Sequence, residues 1–496
     1  MFYELTQFLD PMILFLILIG TLWGVLSGAI PGISVSMSII LVLPFTFGMD
    51  AMRSISVLMG VYVGGMCGGH ISAILMRTPG TPSAAATVFD GYPMAQQGQG
   101  HRAMSISIIG AVFGSMFATV VLITVAPQLA RVALMFNSPE RFALAFFGLS
   151  IITSLSSKSL PKGIMVGLFG ILISTVGIDM VTGVARFTFG NINLMGGFSF
   201  IPVLVGVFAF SQVLLLTEEV FRGVKSEQAG KIKSALPTKE DLFRCKGTFL
   251  RSASIGTFLG SIPGVGADIS AFISYNEEKR WGKHRDKLGT GEITGVAAPE
   301  TANSATAAGS FIPVLTLGIP GDAATAIILG ALVMQGVRPG PALFNEQREI
   351  LYNILSAMVV TNIMMLIIAF IGLRFFIKVL SIKKEFLIPL IVLFCVIGAL
   401  AMNNNMFDVW VMLVLGFIWY LIGKVGFPQS PLAIALILGP MAEREFRRSL
   451  VISGGSYSIF WESPIVVVLV VVAVISLLFP LVKPLVQGMI KGRKQA

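Results

Sequence analysis

This sequence predicts an all-α polytopic membrane protein, built as two repeats of inverted topology with Pro-Gly-broken helices and re-entrant hairpins. Three observations predict it. Of the 496 residues, 55% are hydrophobic and 12% charged, about half the charge load of a soluble domain, and mean hydropathy is +0.86. The apolar runs reach the roughly 20 residues that a helix needs to cross a bilayer, and about 12 crossings are expected. One motif also occurs twice. Gly24-x-x-x-Gly28-x-x-Pro31-Gly32 recurs as Gly256-x-x-x-Gly260-x-x-Pro263-Gly264, each position 232 residues further on. Broken apolar segments at matching places in two halves point to a transporter site between repeats.

The formal charge is +10, but the bases sit in short loops between apolar runs, where they set topology. That reading displaces a nucleic-acid partner. Cys67, Cys245 and Cys395 show no paired spacing, and His70, His101 and His284 are scattered, so neither a disulfide framework nor a zinc site is expected. There is no ATP-type phosphate loop, so energy comes from a gradient or a partner. No nucleophile–base pair stands out, and the chain is not expected to be an enzyme. No cofactor is expected beyond a coupling ion, Na⁺ or H⁺. The run from Pro11 lacks a basic leader, since no Lys or Arg precedes Arg53, and is not read as a cleaved signal peptide.

In chain order, residues 1–221 form the first membrane repeat, 222–251 a basic cytoplasmic linker, and 252–496 the second repeat with a basic cytoplasmic tail. Residues 11–49 are two apolar arms around Pro31-Gly32, bounded by Asp10 and Asp50. Next come an apolar segment ending near Met76 and a second break, Pro79-Gly80-Thr81-Pro82-Ser83. The stretch that follows, AAATVFDGYPMAQQGQGHR, is too polar for a lipid-facing span. Further apolar segments fall at about 104–126, 142–155, 163–181 and 198–217 by the spanning criterion. The linker carries Arg222, Lys225, Lys231, Lys233, Lys239, Arg244, Lys246 and Arg251, a cytoplasmic signature.

The second half repeats the plan. Its second break, Pro320-Gly321, lies 241 residues beyond Pro79-Gly80. The extra residues are expected in the basic loop with Lys279, Arg280, Lys283, Arg285 and Lys287. Apolar segments near 350–373, 386–402, 406–423, 428–440 and 464–482 follow, then a tail with Lys483, Lys491, Arg493 and Lys494. Basic loops on both sides of 252–278 suit a hairpin entering from the cytoplasm. Its counterpart, 11–49, is flanked by acids and suits a hairpin entering from outside. The alternative is that residues 11–30 span fully.

The Gly-x-x-x-Gly runs at 20, 24, 28 and at 60, 64, 68 read as helix packing. The Pro-Gly breaks carry more, because amides in the first turn after a break and the positive helix end suit an anion. The candidate substrate-binding residues are therefore Pro31, Gly32, Ser34 (with Ser36), Pro79, Gly80, Thr81, Ser83, Pro263, Gly264, Pro320, Gly321 and Thr325, joined by Asn303 and Ser304. The other reading of the breaks is structural kinks. Acids in apolar surroundings are functional by default, so Asp268, Glu300 and Asp322 are the coupling-ion candidates. Each takes a cation or exchanges a proton; the alternative for Asp268 and Glu300 is salt bridging to the basic loop. Arg77 and Arg338 read equally as partners of a substrate carboxylate or as snorkelling helix ends.

Taken together, PGTPSAAATVFDGYPMAQQGQG, IPGVGADISAFISYNEEKR, GVAAPETANSATAAGSFIPVLTLGIPGDAATAIILGAL and GVRPGPALF resemble the large membrane subunit of tripartite tricarboxylate transporters, over nearly the whole chain. The resemblance implies a permease of the bacterial cytoplasmic (inner) membrane, working with a small four-helix membrane subunit and an extracytoplasmic solute-binding protein. It implies uptake of citrate-like or related small carboxylates driven by an ion gradient, usually sodium. The chain departs from the family pattern at Ser304 and Asp322, where substrate or cation would be read, so "small organic anion" is the substrate class carried forward. A stand-alone organic-anion transporter, needing no binding protein, is the alternative.

Overall fold

The helix that opens the chain is stopped by the residues the sequence analysis began from. The computed structural model describes residues 10–133, 136–150, 152, 159–179, 183–223, 236–379 and 384–477. Helix α1 (Pro11–Ala29) starts where the Asp10 carboxylate accepts from the Met12 amide at 2.8 Å. It ends at Ile30, which is extended ahead of Pro31, and Gly32 takes φ +98°, a conformation open to glycine at little cost. Helix α2 (Val35–Thr46) then runs back. The Trp23 indole donates to the Ser38 carbonyl at 3.4 Å, and those residues lie nearly equidistant from Pro31. The two arms are therefore antiparallel, and the break is a hairpin tip. With 12 residues, α2 is about 18 Å long, too short to cross the bilayer core.

The second half rebuilds the same device. Helix α10 (Lys239–Ser261) ends at an extended Ile262, Gly264 takes φ +82°, and α11 (Gly266–Trp281) returns. The Ser274 hydroxyl donates to Ser252 Oγ at 2.7 Å, and each residue is eleven positions from Pro263. In both halves the second arm leads to a buried helix, α3 (Ala51–Met76) in the first and α12 (Ile293–Gly309) in the second.

Each hairpin packs on its buried helix in the same register. A Cβ at Gly24 or Gly28 would run into the Val61 or Gly65 carbonyl oxygen, and one at Gly256 or Gly260 into those of Ala302 or Thr306. Ala302 and Thr306 lie 241 residues beyond Val61 and Gly65, so the packing reading of these glycines holds, atom for atom, in both copies. The rise in offset from 232 to 241 falls where expected. Only residues 47–50 separate α2 from α3, whereas 282–292 separate α11 from α12. That stretch holds Lys283, Arg285 and Lys287 of the expected basic loop, while Lys279 and Arg280 lie in the last turn of α11.

The two buried helices cross antiparallel. His70 meets Glu300, the Asn303 side-chain amide donates to the Met66 carbonyl at 3.2 Å, and the Tyr62 hydroxyl donates to the Ala307 carbonyl at 3.1 Å. The Tyr62 ring packs edge-on against Phe311, centroids 5.6 Å apart. Residue numbers fall along α3 as they rise along α12. Tyr62 and Asn303 are repeat equivalents, as are Met66 and Ala307. The two hydrogen bonds are thus mates about a pseudo-two-fold axis perpendicular to both helices. When such helices cross a membrane, that axis lies in its plane, and the repeats are inverted.

Reciprocal contacts follow from the same axis. The 3₁₀ turn Pro82–Ala85, just after the second break, packs on α11 and α12. Its counterpart α14 (Ala323–Met334) packs on α2 and α3. Between them in sequence lie α4 (Val88–Met94), a π turn at Ala95–Gln99 kinked at Gly98 (φ 77°), and α5 (Gly100–Ala133). The polar stretch after the first break is therefore helical, and α4 packs against α3 and α12.

These elements, α5 as far as Ala130, belong to one compact unit, the described residues within 1–130 and 201–420. It also contains a helix from Phe200 to Phe221 with a π stretch at Val205–Phe210 (α8 and α9), α13 (Phe311–Leu317), α15 (Pro341–Asn345), α16 (Arg348–Val379), α17 (Lys384–Asn403) and most of α18 (Met406–Lys424). The other unit, residues 131–200 and 421–496, packs α6 (Ser138–Ser150) and α7 (Leu160–Ser174) on α19 (Ser430–Ile452). Phe142, Phe446 and Phe460 fill its centre. Asp179 and Glu443 pair with Arg447 and Arg186 beside a two-rung antiparallel ladder of Gly177–Ile178 and Ala185–Arg186. Each unit draws on both halves of the chain.

Among the described residues six helices are long and apolar enough to cross a membrane, and five shorter apolar helices accompany them. The expectation of about 12 crossings counted apolar runs, several of which are hairpin arms or short helices. Part of the expected linker, from Lys239 on, is already α10. Lys225, Lys231, Lys233 and the tail residues Lys483, Lys491, Arg493 and Lys494 lie outside the described residues.

Candidate functional site

In each repeat the two Pro-Gly breaks touch. Helix α3 closes on Arg77 in the left-handed conformation, φ 56°, and the chain turns so that the Gly80 amide donates to the Gly69 carbonyl at 3.2 Å. A Cβ at Gly80 would run into the Gly28 carbonyl oxygen, and one at Gly69 into the Thr81 hydroxyl. The fit is made for backbone without side chains. In the second repeat the Gly264 amide donates to the Gly321 carbonyl at 2.8 Å, and a Cβ on Gly321 would meet Ser310 Cβ at 2.7 Å.

Hydroxyls gather at these points. Thr81 Oγ1 and Ser83 Oγ are 3.1 Å apart, and both residues are buried. Ser34 accepts from the Met37 amide at 3.1 Å and caps α2. Asp322 caps α14: its carboxylate accepts from the Thr325 amide and hydroxyl, each at 2.8 Å, while the Asp322 amide donates back to Thr325 Oγ1 at 2.9 Å. One first-turn amide at each of these two helix starts is thus satisfied from within the chain. The start of α11 and the turn Pro82–Ala85 carry no side-chain cap. Pro31 and Pro263 are half-buried, Gly32 is exposed, and Pro79, at the edge of the second break, is half-buried; Gly264, Pro320 and Gly321 are buried.

The chemistry concentrates at the α3–α12 crossing. Glu300 and His70 are 0% exposed, with Nδ1 3.8 Å from Oε2. The Thr87 hydroxyl donates to Glu300 Oε1. Glu300 Oε2, His70 Nε2, Asn303 Oδ1 and Ser72 Oγ are buried with no hydrogen-bond partner among the described residues. Unmet polar atoms in such a place are costly and mark a site that something else completes. Three turns along the crossing, Ser304, Tyr62, Ser115, Met59 and Phe311 line a cavity of about 10 Å³, room for about one water.

Glu300 therefore does not bridge to the basic loop. That loop's neighbours are paired elsewhere, Arg244 with Glu292, Arg251 with Glu278 and Arg102 with Asp241, around an open cleft of about 1080 Å³. Asp268 lies exposed in the first turn of α11, and the basic cluster begins at its last turn. Arg77 stacks over the Tyr92 ring at 5.8 Å, and Arg338 is exposed and faces Glu346 at 3.4 Å. Neither touches a break.

Sequence reasoning missed His70, Tyr62, Thr87 and Asp90. The Asp90 carboxylate accepts from the amides of Gly289, Gly291 and Glu292 at 2.8–2.9 Å and from the Tyr275 hydroxyl at 2.8 Å, fastening α4 to the loop before α12. One signal for His70 was available: it is the one basic side chain in an apolar run from Ser54 to Met76, and ionisable residues inside a span are functional by default.

Comparison with known proteins agrees with this architecture. The profile of the tripartite tricarboxylate transporter TctA family matches residues 14–434. A protein of Agrobacterium vitis described as an uncharacterized 52.8 kDa protein in the TAR-I ttuC' 3' region is 38% identical over 457 residues, 91% of this chain and 90% of that one. A second A. vitis protein, from the TAR-II ttuC' 3' region, is 39% identical over 215 residues, 43% of this chain and 89% of its own length. No solved structure matches.

Proposed function

Because this chain belongs to the TctA family of tripartite tricarboxylate transporters, we propose that it is the large permease subunit of a binding-protein-dependent, ion-coupled importer of small carboxylates. The chain is a multi-pass membrane protein of a transporter family; the bacterial inner membrane is its proposed place. One observation carries the reading. The four Pro-Gly breaks form two pairs, one in each repeat, and each repeat's second break leans on the other repeat's helices about a pseudo-two-fold axis. Repeats so interlocked support alternating access in which the pieces around the four breaks move together against a scaffold of the remaining helices.

Substrate carboxylate oxygens are held by hydroxyls and amides near Thr81, Ser83, Gly321 and Thr325, with Asn303 and Ser304 on the adjoining crossing. Glu300 is the acid best placed to take the coupling ion, ahead of Asp268 and of Asp322, whose carboxylate already caps α14. The small membrane subunit and a solute-binding protein are the proposed partners, with residues 1–221 and 252–496 as the two repeats and some of the remaining helices holding the small subunit.

Reconstitution tests the reading. The chain is placed in vesicles with and without its small subunit and binding protein, and uptake of labelled citrate and succinate is followed under an imposed ion gradient. Uptake that requires all three components is expected. Full-rate uptake by the chain alone would replace this reading with a stand-alone transporter, and failure of every small carboxylate to move would end it.

A further inference from the structure

His70 has no part in the reading above, yet it faces the acid that reading selects. Resting on that reading, we propose that His70 and Glu300 together hold one exchangeable proton, and that this proton is the ion coupled to transport.

The geometry supports a proton held on Glu300 beside His70. Both side chains are 0% exposed, and imidazole Nδ1 lies 3.8 Å from carboxylate Oε2, beyond direct hydrogen-bond reach. Oε1 is occupied by the Thr87 hydroxyl, which leaves Oε2 and His70 Nε2 as buried polar atoms without partners. A bare carboxylate in this place would be an uncompensated buried charge, worth several kcal/mol. One proton removes that cost, as a neutral acid beside a neutral imidazole. Hard cations take several oxygen ligands, whereas an imidazole nitrogen faces Oε2.

Among the described residues, the charged groups on the elements around the pair are engaged elsewhere. Helix α5, which packs on α12 at Thr301, carries His101 and Arg102 at its start, the latter paired with Asp241, and Arg131 in its last turn. On α3 the next titratable group is Cys67, whose sulfur is 4.0 Å from Nδ1. On α4, Asp90 is taken up by three amides and Tyr275. On α10 and α11, Arg244 pairs with Glu292 and Arg251 with Glu278, while Asp268 lies exposed at the far end of α11. Tyr62 belongs to the opposite end of the crossing, and Asp322 to the cap of α14. Helices α1, α2 and α13 carry no charged side chain, and α16 carries Arg348 and Glu349 in its first turn.

Position supplies the coupling. His70 and Glu300 lie beside the second break of the first repeat, with Thr87 just after that break hydrogen-bonded to Glu300, so movement of the breaks changes which side of the membrane wets the pair. Wetted from one side, the Glu300 carboxylate takes a proton from water there; wetted from the other, the carboxylic acid gives that proton to water on that side. No other bond changes.

The test uses the intact chain with its partner subunits. Infrared difference spectra against pH are expected to show a protonated carboxyl band that is lost in Glu300→Gln and displaced in His70→Asn. In vesicles, citrate or succinate uptake is expected to be driven by an inward proton gradient without sodium. Both substitutions should lower that uptake at least tenfold and flatten the pH profile of what remains, with Glu300→Asp restoring part of the pH dependence. Uptake that requires sodium and ignores pH would falsify the proposal, as would a wild-type spectrum with no band assignable to Glu300. If no carboxylate moves at all, the transport reading fails, and the infrared band still decides whether the pair holds a proton.

Discussion

At one end of the α3–α12 crossing stand Met59 and Phe311, and at the other His70 and Glu300. The repeat relates these ends directly: Met59 is the counterpart of Glu300, and His70 the counterpart of Phe311, each 241 residues apart. One end is an apolar plug with an edge-on aromatic pair, and the other is a buried acid and base with unmet atoms. Between them lie the matched hydrogen bonds from Tyr62 and Asn303. Symmetry is kept by the backbone, in glycines and carbonyls, and broken in the side chains. A symmetric frame thus carries one asymmetric pair of buried ionisable side chains.

Four outcomes would break or sharpen that comparison. The largest effect belongs to the symmetric part. Gly24→Leu and Gly256→Leu each drive a side chain into a facing backbone oxygen that cannot yield, and both should abolish monodisperse protein on size-exclusion of a detergent extract. If only one does so, the two hairpins do not pack equivalently.

Next comes the apolar end. Phe311 is 0% exposed, and truncation of a buried Phe costs about 3–5 kcal/mol. Phe311→Ala should lower the thermal midpoint clearly while sparing the pH profile of uptake. A changed pH profile would mean that both ends take part in coupling.

The Asp90 latch has no counterpart, since the equivalent position is Ala331. Hydrogen bonds to a charged group are worth about 1.5–3 kcal/mol each, and Asp90→Asn should cost about 2 kcal/mol. Amide exchange at Gly289, Gly291 and Glu292 should speed up; unchanged protection there would show that the loop is held by other contacts.

The smallest effect is at the start of α10. Burial pushes the Asp241 carboxyl up, but hydrogen bonds from Arg102 and Thr238 outweigh it and hold the group below its ordinary value. A depressed folded-state value means that this stabilisation is present above the ordinary carboxylate range and is lost as pH falls through the folded value. Melting curves against pH should show a fall in stability on the acid side that is shallower in Asp241→Asn. Identical acid limbs would remove the pair from the balance.

The repeat and its local consequences were legible because they are written in neighbouring residues. A Pro-Gly inside an apolar run must stop a helix. Glycines four apart must bring another backbone close. The change in offset from 232 to 241 had to fall between the two breaks, and the basic loop took it. His70 and Thr87 were not legible, because their partner Glu300 lies more than 200 residues away. Nor were the amide donors of Asp90 and the capping of α14 by Asp322 legible before the helices were placed.

By itself, then, the sequence determined a membrane-embedded helical protein with two copies of one hairpin, because hydropathy, proline and glycine act over one or two turns of chain. Only the tertiary structure decided that the copies interlock antiparallel about α3 and α12, and that a histidine of one faces a glutamate of the other. Those pairings depend on which side chains two distant helices bring to the same few ångströms, and no local preference along the chain encodes that distance.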